Sequence, residues 1–460
     1  MEQLNLQGGR GVPVKFVLSL LLAIVVTWLV KEPVFTEAQV YVLFLLLFSV
    51  ALWLTEAVPP FSVGLLIIAF LTFTFRYASS AGAPADAKIY TDTFSSSVIW
   101  LMLGGFFLAS AMTKTKLDID LIRVTLNVCG KNPKWILLGM MSITMVASML
   151  ISNTATTAMV IAALTPLFVK LGKQSVVTKA LILGIPIAAT TGGMGTMIGS
   201  PPNSIAVGAL DSVGKHINFI TWILYGIPVM AVLTALAWWV LVRLFMKDVD
   251  DVSVDILDKE KDPSIAGVRP LHRWTVVVIL SVTLLLWLTS PFHNLSPAAV
   301  AAVPLVFLPL TQILKGEDIR AMGWDTLLLV AGGLSLGTAL QQTGLLTLYA
   351  DRLVDLPVSN TIFLFLLAYA TMLFSNIMSN TATSTVLIPL GMAILPDLQV
   401  EVAMAIGLSA STALFLPVST PPNAIAYSTG FVEQRDFSLG GLLIGLIGPG
   451  LVTLWVLAIT

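Results

Sequence analysis

The stretch ISNTATTAMV, residues 151–160, puts Ser152, Asn153 and Thr154 near the middle of an apolar run from 135 to 169. The same polar signature returns as MSNTATSTVL, residues 378–387, inside a second run from 359 to 396. Backbone polar groups in hydrocarbon must be satisfied within the protein. A polar break at that depth is therefore buried in protein or lines a cavity. Its appearance twice raises the question of what the two copies share.

The flanking charges say how the runs are threaded. Both are too long for one simple crossing of about 20 residues. Lys131 and Lys134 precede the first run, and Lys170, Lys173 and Lys179 follow it. Positive residues collect on the cytoplasmic side, so both ends of 135–169 lie on one face. This predicts a re-entrant hairpin with Ser152-Asn153-Thr154 at its turn. The run 359–396 reads as a second hairpin, entering from the opposite face.

The rest of the chain fits a polytopic membrane protein. Of 460 residues, 57% are hydrophobic and 11% charged, against about 25% charged in soluble domains. Counting the two long runs as re-entrant leaves eleven transmembrane helices. With the N-terminus cytoplasmic and the C-terminus outside, 19 of the 24 Lys and Arg residues fall at the inner face. The expected location is the inner (plasma) membrane. One long polar linker, 247–273, divides the chain.

The two parts resemble each other in sequence. LGGFFLASAMTKTKL (103–117) matches AGGLSLGTALQQTGL (331–345), SNTATT (152–157) matches SNTATS (379–384), and GSPPNSIAV (199–207) matches STPPNAIAY (419–427). The offsets are 332 − 104 = 228, 380 − 153 = 227 and 421 − 201 = 220. Each part holds five crossings, an odd number, so the second copy lies inverted. The expected units are an extra N-terminal helix at 1–34, a first repeat at 35–246 and a second at 274–460. Broken helices are expected at about 180–210 and 400–431. Inverted repeats with interrupted helices are the plan of secondary transporters, with the site at the repeat interface.

The polar breaks suggest a chemistry. Ser, Asn and Thr are good N-caps, and the free N–H groups and positive dipole end of a half-helix favour an anion. An Asn amide offers oxygen to a hard cation or NH2 to a carboxylate. Ser148 and Ser375 precede each tip by four residues, on the same helix face. Pro201-Pro202 and Pro421-Pro422 interrupt the other long segments and free the carbonyls before them. No Asp, Glu, Lys or Arg occurs in 135–169, 180–210, 356–396 or 402–432. A neutral site holds a dianion poorly, so co-bound sodium would supply the missing charge. Proton relays use intramembrane ionisable residues, and these segments have none. The glycine pairs Gly104-Gly105 and Gly332-Gly333 read as close-packing positions.

Other classes find little support. The net charge of −1 suggests no nucleic-acid partner, and Cys129 is the single cysteine. His216, His272 and His293 lie far apart in polar loops. Nothing in the breaks reads as a catalytic set, so an enzyme is not expected, and no cofactor beyond the coupling ions.

At the paired Ser-Asn-Thr tips and Pro-Pro-Asn breaks the chain resembles the divalent anion/sodium symporter family. The resemblance covers essentially the whole sequence. It implies a homodimer in the bilayer, an elevator-type movement, and sodium-coupled symport of C4-dicarboxylates such as succinate, malate and fumarate. Transferred by motif, Ser152, Asn153, Thr154, Ser200, Ser379, Asn380, Thr381 and Pro422 would contact substrate. Ser148, Asn153 and Gly199 would hold one sodium ion. Ser375, Asn380, Ser419 and Thr420 would hold another. The second break reads STPP where the first reads GSPP, so the two sodium sites need not be equivalent. Citrate or sulfate is the alternative cargo, and an anion channel the alternative class.

Overall fold

The computed structural model describes residues 11–76, 86–246, 269–345, 348, 359–417 and 419–460. Residues 247–268 of the expected linker lie outside the described residues, as do residues 1–10 of the N-terminal segment. Among the described residues there are helices and connections and no strand. Among the described residues nine helices are long and apolar enough to cross a bilayer. The number is ten if Asn380–Ile394 and Pro396–Thr412, which meet at a bend of 118°, form one broken span. Pro60–Phe75, Pro133–Ser148 and Pro297–Leu310 are shorter apolar helices. The protein is an all-α, multi-pass membrane protein.

Burial sorts these helices into periphery and centre. Only 17% of the span in Val12–Val30 is buried, whereas 89% of that in Val176–Gly195 is. The first helix shows Leu18, Leu21, Leu22, Val25 and Trp28 outward, as a lipid-facing helix does. Val176–Gly192, VVTKALILGIPIAATTG, is apolar or small on every side beyond Lys179 in its first turn, which suits a helix surrounded by others. It packs against Pro133–Ser148, Asn153–Leu171 and Phe219–Phe245.

Two helix crossings are the most extensive between the parts. Pro60–Arg76 packs along Trp324–Gln342, and Pro297–Leu310 along Ser97–Lys114. Each crossing joins a helix from before the linker to one from after it. Small residues let the backbones meet. A Cβ on Gly332 would sit 2.3 Å from Gly64 Cα, and one on Gly104 would sit 2.6 Å from Ala301 Cβ. These glycines are packing positions.

Both Ser-Asn-Thr runs break helices. The first lies between Pro133–Ser148 and Asn153–Leu171, the second between Asn360–Ile377 and Asn380–Ile394. In each case the two legs pack on one another. The first unit ends at Gly172, whose φ of 82° stops the helix at little steric cost. The two Pro-Pro runs likewise open helices, Pro201–Ser212 after Val176–Gly192 and Pro421–Ser428 after Gln399–Ser409.

Candidate functional site

At each tip the serine is the cap. Ser152 Oγ accepts from Ala155 N at 3.2 Å, and Ser379 Oγ accepts from Ala382 N at 3.1 Å. Asn and Thr then occupy the first two helical positions, Asn153 and Thr154 in one unit, Asn380 and Thr381 in the other. The backbone N–H groups of those positions have no intrahelical acceptor. They offer donors at the positive end of a helix of 19 or 15 residues, where an anion is favoured.

The breaks have the opposite character. Pro201 and Pro202 stand at the first two positions of one helix, and Pro421 and Pro422 at those of the other. Proline has no N–H, so these helix starts lack the donors that the tips offer. What remains before them is oxygen: the carbonyl of Gly199 and the hydroxyls of Ser200, Ser419 and Thr420. Tips suited to anions and breaks suited to cations thus alternate along the chain.

One cavity of about 470 Å³ brings all four together. Its lining includes Ser152, Asn153, Thr154, Ser200, Ser379, Asn380, Thr381 and Pro422, the whole set expected to touch substrate. Gly199, Ser419 and Thr420 line it as well. Ser148 and Ser375 do not; both are fully buried behind the tips. The facing wall comes from Met102, Phe106, Ser110, Met322 and Thr326. No Lys or Arg is in the lining, and Asp318 is its single charged member among the described residues.

Around Asn153 the first half forms a cluster of oxygens. The side-chain amide atom facing Ser148 lies 2.7 Å from Ser148 Oγ and 3.1 Å from the carbonyl oxygens of Gly199 and Ala189. With nitrogen turned to that position, the amide finds three acceptors. With oxygen there, Asn153 Oδ1 has three further oxygens, those of Ser148, Gly199 and Ala189, within 2.7–3.1 Å. Hard cations bound through oxygen take ligands at roughly 2.3–2.6 Å, and oxygens about such a cation sit a little over 3 Å apart. Gly193 makes the room, since its Cβ would fall 2.6 Å from Asn153 Oδ1 and 3.0 Å from Gly199 O.

The second half is less closed. Ser375 Oγ and Asn380 Oδ1 are buried with no hydrogen-bond partner, as is Ser409 Oγ. Ser419 Oγ donates to Leu416 O at 2.8 Å, and Thr420 Oγ1 accepts from Asn423 N at 3.4 Å. Asn376 pins this break to Asn360–Ile377, its Oδ1 accepting from Phe415 N at 3.0 Å.

Asp318 sits at the rim beside Lys114, whose Nζ donates to its Oδ2. The amide of Lys315 donates to the same oxygen at 2.6 Å. Burial pushes this carboxyl up, but the Lys114 and Lys315 contacts outweigh it and hold Asp318 below the usual carboxylate range. Ala189, Asn376 and Asp318 were not singled out by the sequence.

Two helix tips and two broken helices that converge on one cavity, with Asp318 the single charged residue among its described lining, are the arrangement expected of a secondary transporter. Residues 50–403 match the family described as citrate transporter, and the chain belongs to it. This agrees with the divalent anion/sodium symporter resemblance. The chain is similar to the sodium-dependent dicarboxylate transporter SdcS of Staphylococcus saprophyticus, 28% identical over 96% of this chain and 89% of that one. An uncharacterized transporter of Haemophilus influenzae is 30% identical over 88% of both chains. The sodium-dependent high-affinity dicarboxylate transporter 3 of Caenorhabditis elegans is 27% identical over 86% of this chain and 78% of its own. Among solved structures, Neisseria gonorrhoeae MtrF shares the fold with a TM-score of 0.56 at 12% identity, over 90% of this chain and 98% of that one. Alcanivorax borkumensis YdaH does so with a TM-score of 0.51 at 14% identity, over 86% and 98%.

Proposed function

We propose that the protein is a sodium-coupled symporter of C4-dicarboxylates such as succinate, malate and fumarate. The observation that carries this reading is the meeting of both Ser-Asn-Thr tips and both Pro-Pro breaks in one cavity without a basic side chain. Each tip would donate to one carboxylate of the substrate, through its Asn and Thr N–H groups and side chains. Sodium beside Ser148, Asn153, Ala189 and Gly199, and a second ion beside Ser375, Asn380, Ser419 and Thr420, would neutralise the dianion. Sodium thereby becomes a condition of substrate binding, which is what coupling requires.

The movement in this reading is an elevator. The two helix–break–helix units and the broken helices would travel together as re-entrant hairpins and their partners. The glycine-packed crossings at Gly64–Gly332 and Gly104–Ala301 would stay fixed, in a homodimer. Eleven crossings, a cytoplasmic N-terminus and an external C-terminus complete the topology. Lys114 and Asp318 then lie on the cytoplasmic side, and the cavity they border faces inward.

The second reading is a citrate carrier, and the volume of about 470 Å³ leaves room for a tricarboxylate. The experiment is uptake of radiolabelled succinate into proteoliposomes under imposed sodium, potassium or proton gradients. Malate, fumarate, citrate and sulfate serve as competitors. Saturable uptake driven by inward sodium and suppressed by malate and fumarate is expected. Uptake driven by protons, or competed by citrate far better than by malate, would overturn the assignment.

A further inference from the structure

We propose that Asn203 and Asn423, the asparagines of the two Pro-Pro-Asn runs, are positioning residues for cation binding. The proposal rests on the sodium-coupled reading above. Neither side chain lines the cavity, and they are 0% and 1% exposed. They occupy equivalent places, 423 − 203 = 220, the same offset as the proline pairs.

Each amide clamps the break loop that precedes it. Asn203 Nδ2 donates to Gly193 O at 2.8 Å and to Thr196 O at 2.7 Å. Asn423 Nδ2 donates to Leu416 O at 3.0 Å and to Leu414 O at 3.4 Å. In both residues Oδ1 is buried without a partner, so the NH2 group alone sets the orientation. A buried amide spends its two donors this way when the carbonyls it meets would otherwise go unsatisfied.

In the first half the clamp leads to the oxygen cluster. Thr196 Oγ1 accepts from Gly199 N at 3.1 Å and donates to Met149 O, beside the tip. Gly193 O stands next to Gly199, where an added Cβ would meet it at 2.6 Å. By engaging Gly193 O and Thr196 O, Asn203 turns those carbonyls into the loop and leaves those of Gly199 and Ala189 facing Asn153. Groups that orient ligands, when lost, cost 10- to 100-fold in metal affinity as a rule. The longer bonds of Asn423 predict a weaker hold in the second half.

The test is the sodium dependence of succinate uptake in proteoliposomes for wild type, Asn203→Asp, Asn423→Asp and Thr196→Val. Aspartate keeps the shape of asparagine but cannot offer two donors. Asn203→Asp is expected to raise the sodium concentration for half-maximal uptake about tenfold or more. Its succinate KM at saturating sodium should stay within about twofold of wild type, since the clamp touches no substrate. Thr196→Val should move the same way and Asn423→Asp less. Thr196→Val tests the next link, from the loop to Gly199 N and Met149 O, and Asn203→Leu, which removes both donors without adding charge, decides the matter if Asn203→Asp fails to fold. Unchanged sodium half-saturation in the well-folded variants, or a change in succinate KM alone, would overturn the proposal. Wild-type uptake indifferent to sodium would instead bring down the coupled reading, and this proposal with it.

Discussion

Asn153 and Ser148 meet through their side chains, the amide 2.7 Å from the Ser148 hydroxyl, behind a helix tip whose Ser152 cap and Thr154 face the cavity. One residue therefore joins the cluster suited to a cation to the helix end suited to an anion. Ser148→Ala removes one oxygen from that cluster and nothing from the cavity lining. It should raise the sodium concentration for half-maximal uptake by about tenfold, with succinate KM at saturating sodium nearly unchanged. A sodium titration of uptake in proteoliposomes reads both numbers.

Gly193→Ala is a steric test of the same cluster. Its methyl would enter 2.6 Å from Asn153 Oδ1 and 3.0 Å from Gly199 O. Sodium-dependent uptake should fall by at least tenfold while the protein remains monodisperse. Gly440→Ala is the control, because its methyl meets Ile187 Cδ1 at an ordinary 3.4 Å. Equal loss in both variants would speak for general sensitivity to packing.

At the rim, Lys114 neutralises the one carboxylate that borders the proposed dianion site. Lys114→Met leaves Asp318 uncompensated and should raise succinate KM about fivefold, equivalent to roughly 1 kcal/mol of repulsion. The effect should shrink at high ionic strength, and adding Asp318→Asn should reverse it. Because Asp318 is held below the usual carboxylate range, it stays ionised as pH falls from neutrality toward 6. The pH profile of uptake over that interval should therefore have the same shape in wild type and in Asp318→Asn.

The crossing of Gly64 and Gly332 predicts a stability effect. Any Cβ at Gly332 would overlap the Gly64 backbone, at 2.3 Å from Cα and 2.5 Å from O. Gly332→Val should destabilise the protein by roughly 1–3 kcal/mol or more, seen as a lower melting temperature in detergent. The same change at Gly316, where a Cβ meets nothing within 4 Å, should be nearly silent.

The sequence carried the parts of this architecture that repeat as side chains. Ser152-Asn153-Thr154 and Ser379-Asn380-Thr381 stand out because polar triplets in apolar runs recur at one offset. The proline pairs stand out because proline has local consequences wherever it falls. Backbone groups leave no such mark. The Ala189 carbonyl joins the cluster because Val176–Gly192 runs beside the first tip, and no residue type signals it. Asp318 reads as an ordinary loop charge until the fold sets it beside Lys114, about 200 residues away. Asn203 and Asn423 lie within the recognised motif, yet their clamp depends on a loop folding back on itself. Gly226 and Gly441 show the same limit. A Cβ on either would strike a break-loop carbonyl, Met194 O at 2.2 Å or Leu414 O at 1.9 Å. Both halves use the device, although the surrounding sequences share no evident motif.

In the proposed mechanism Asn153 and Asn380 both serve one sodium-dependent site, and succinate uptake into proteoliposomes by Asn153→Ala, Asn380→Ala and the double variant, each checked for a monodisperse profile and a wild-type melt, shows whether they do. Loss of sodium-driven uptake in every variant, with the protein intact, is the predicted result. Saturable, sodium-driven uptake at the wild-type rate by an intact double variant would contradict the account.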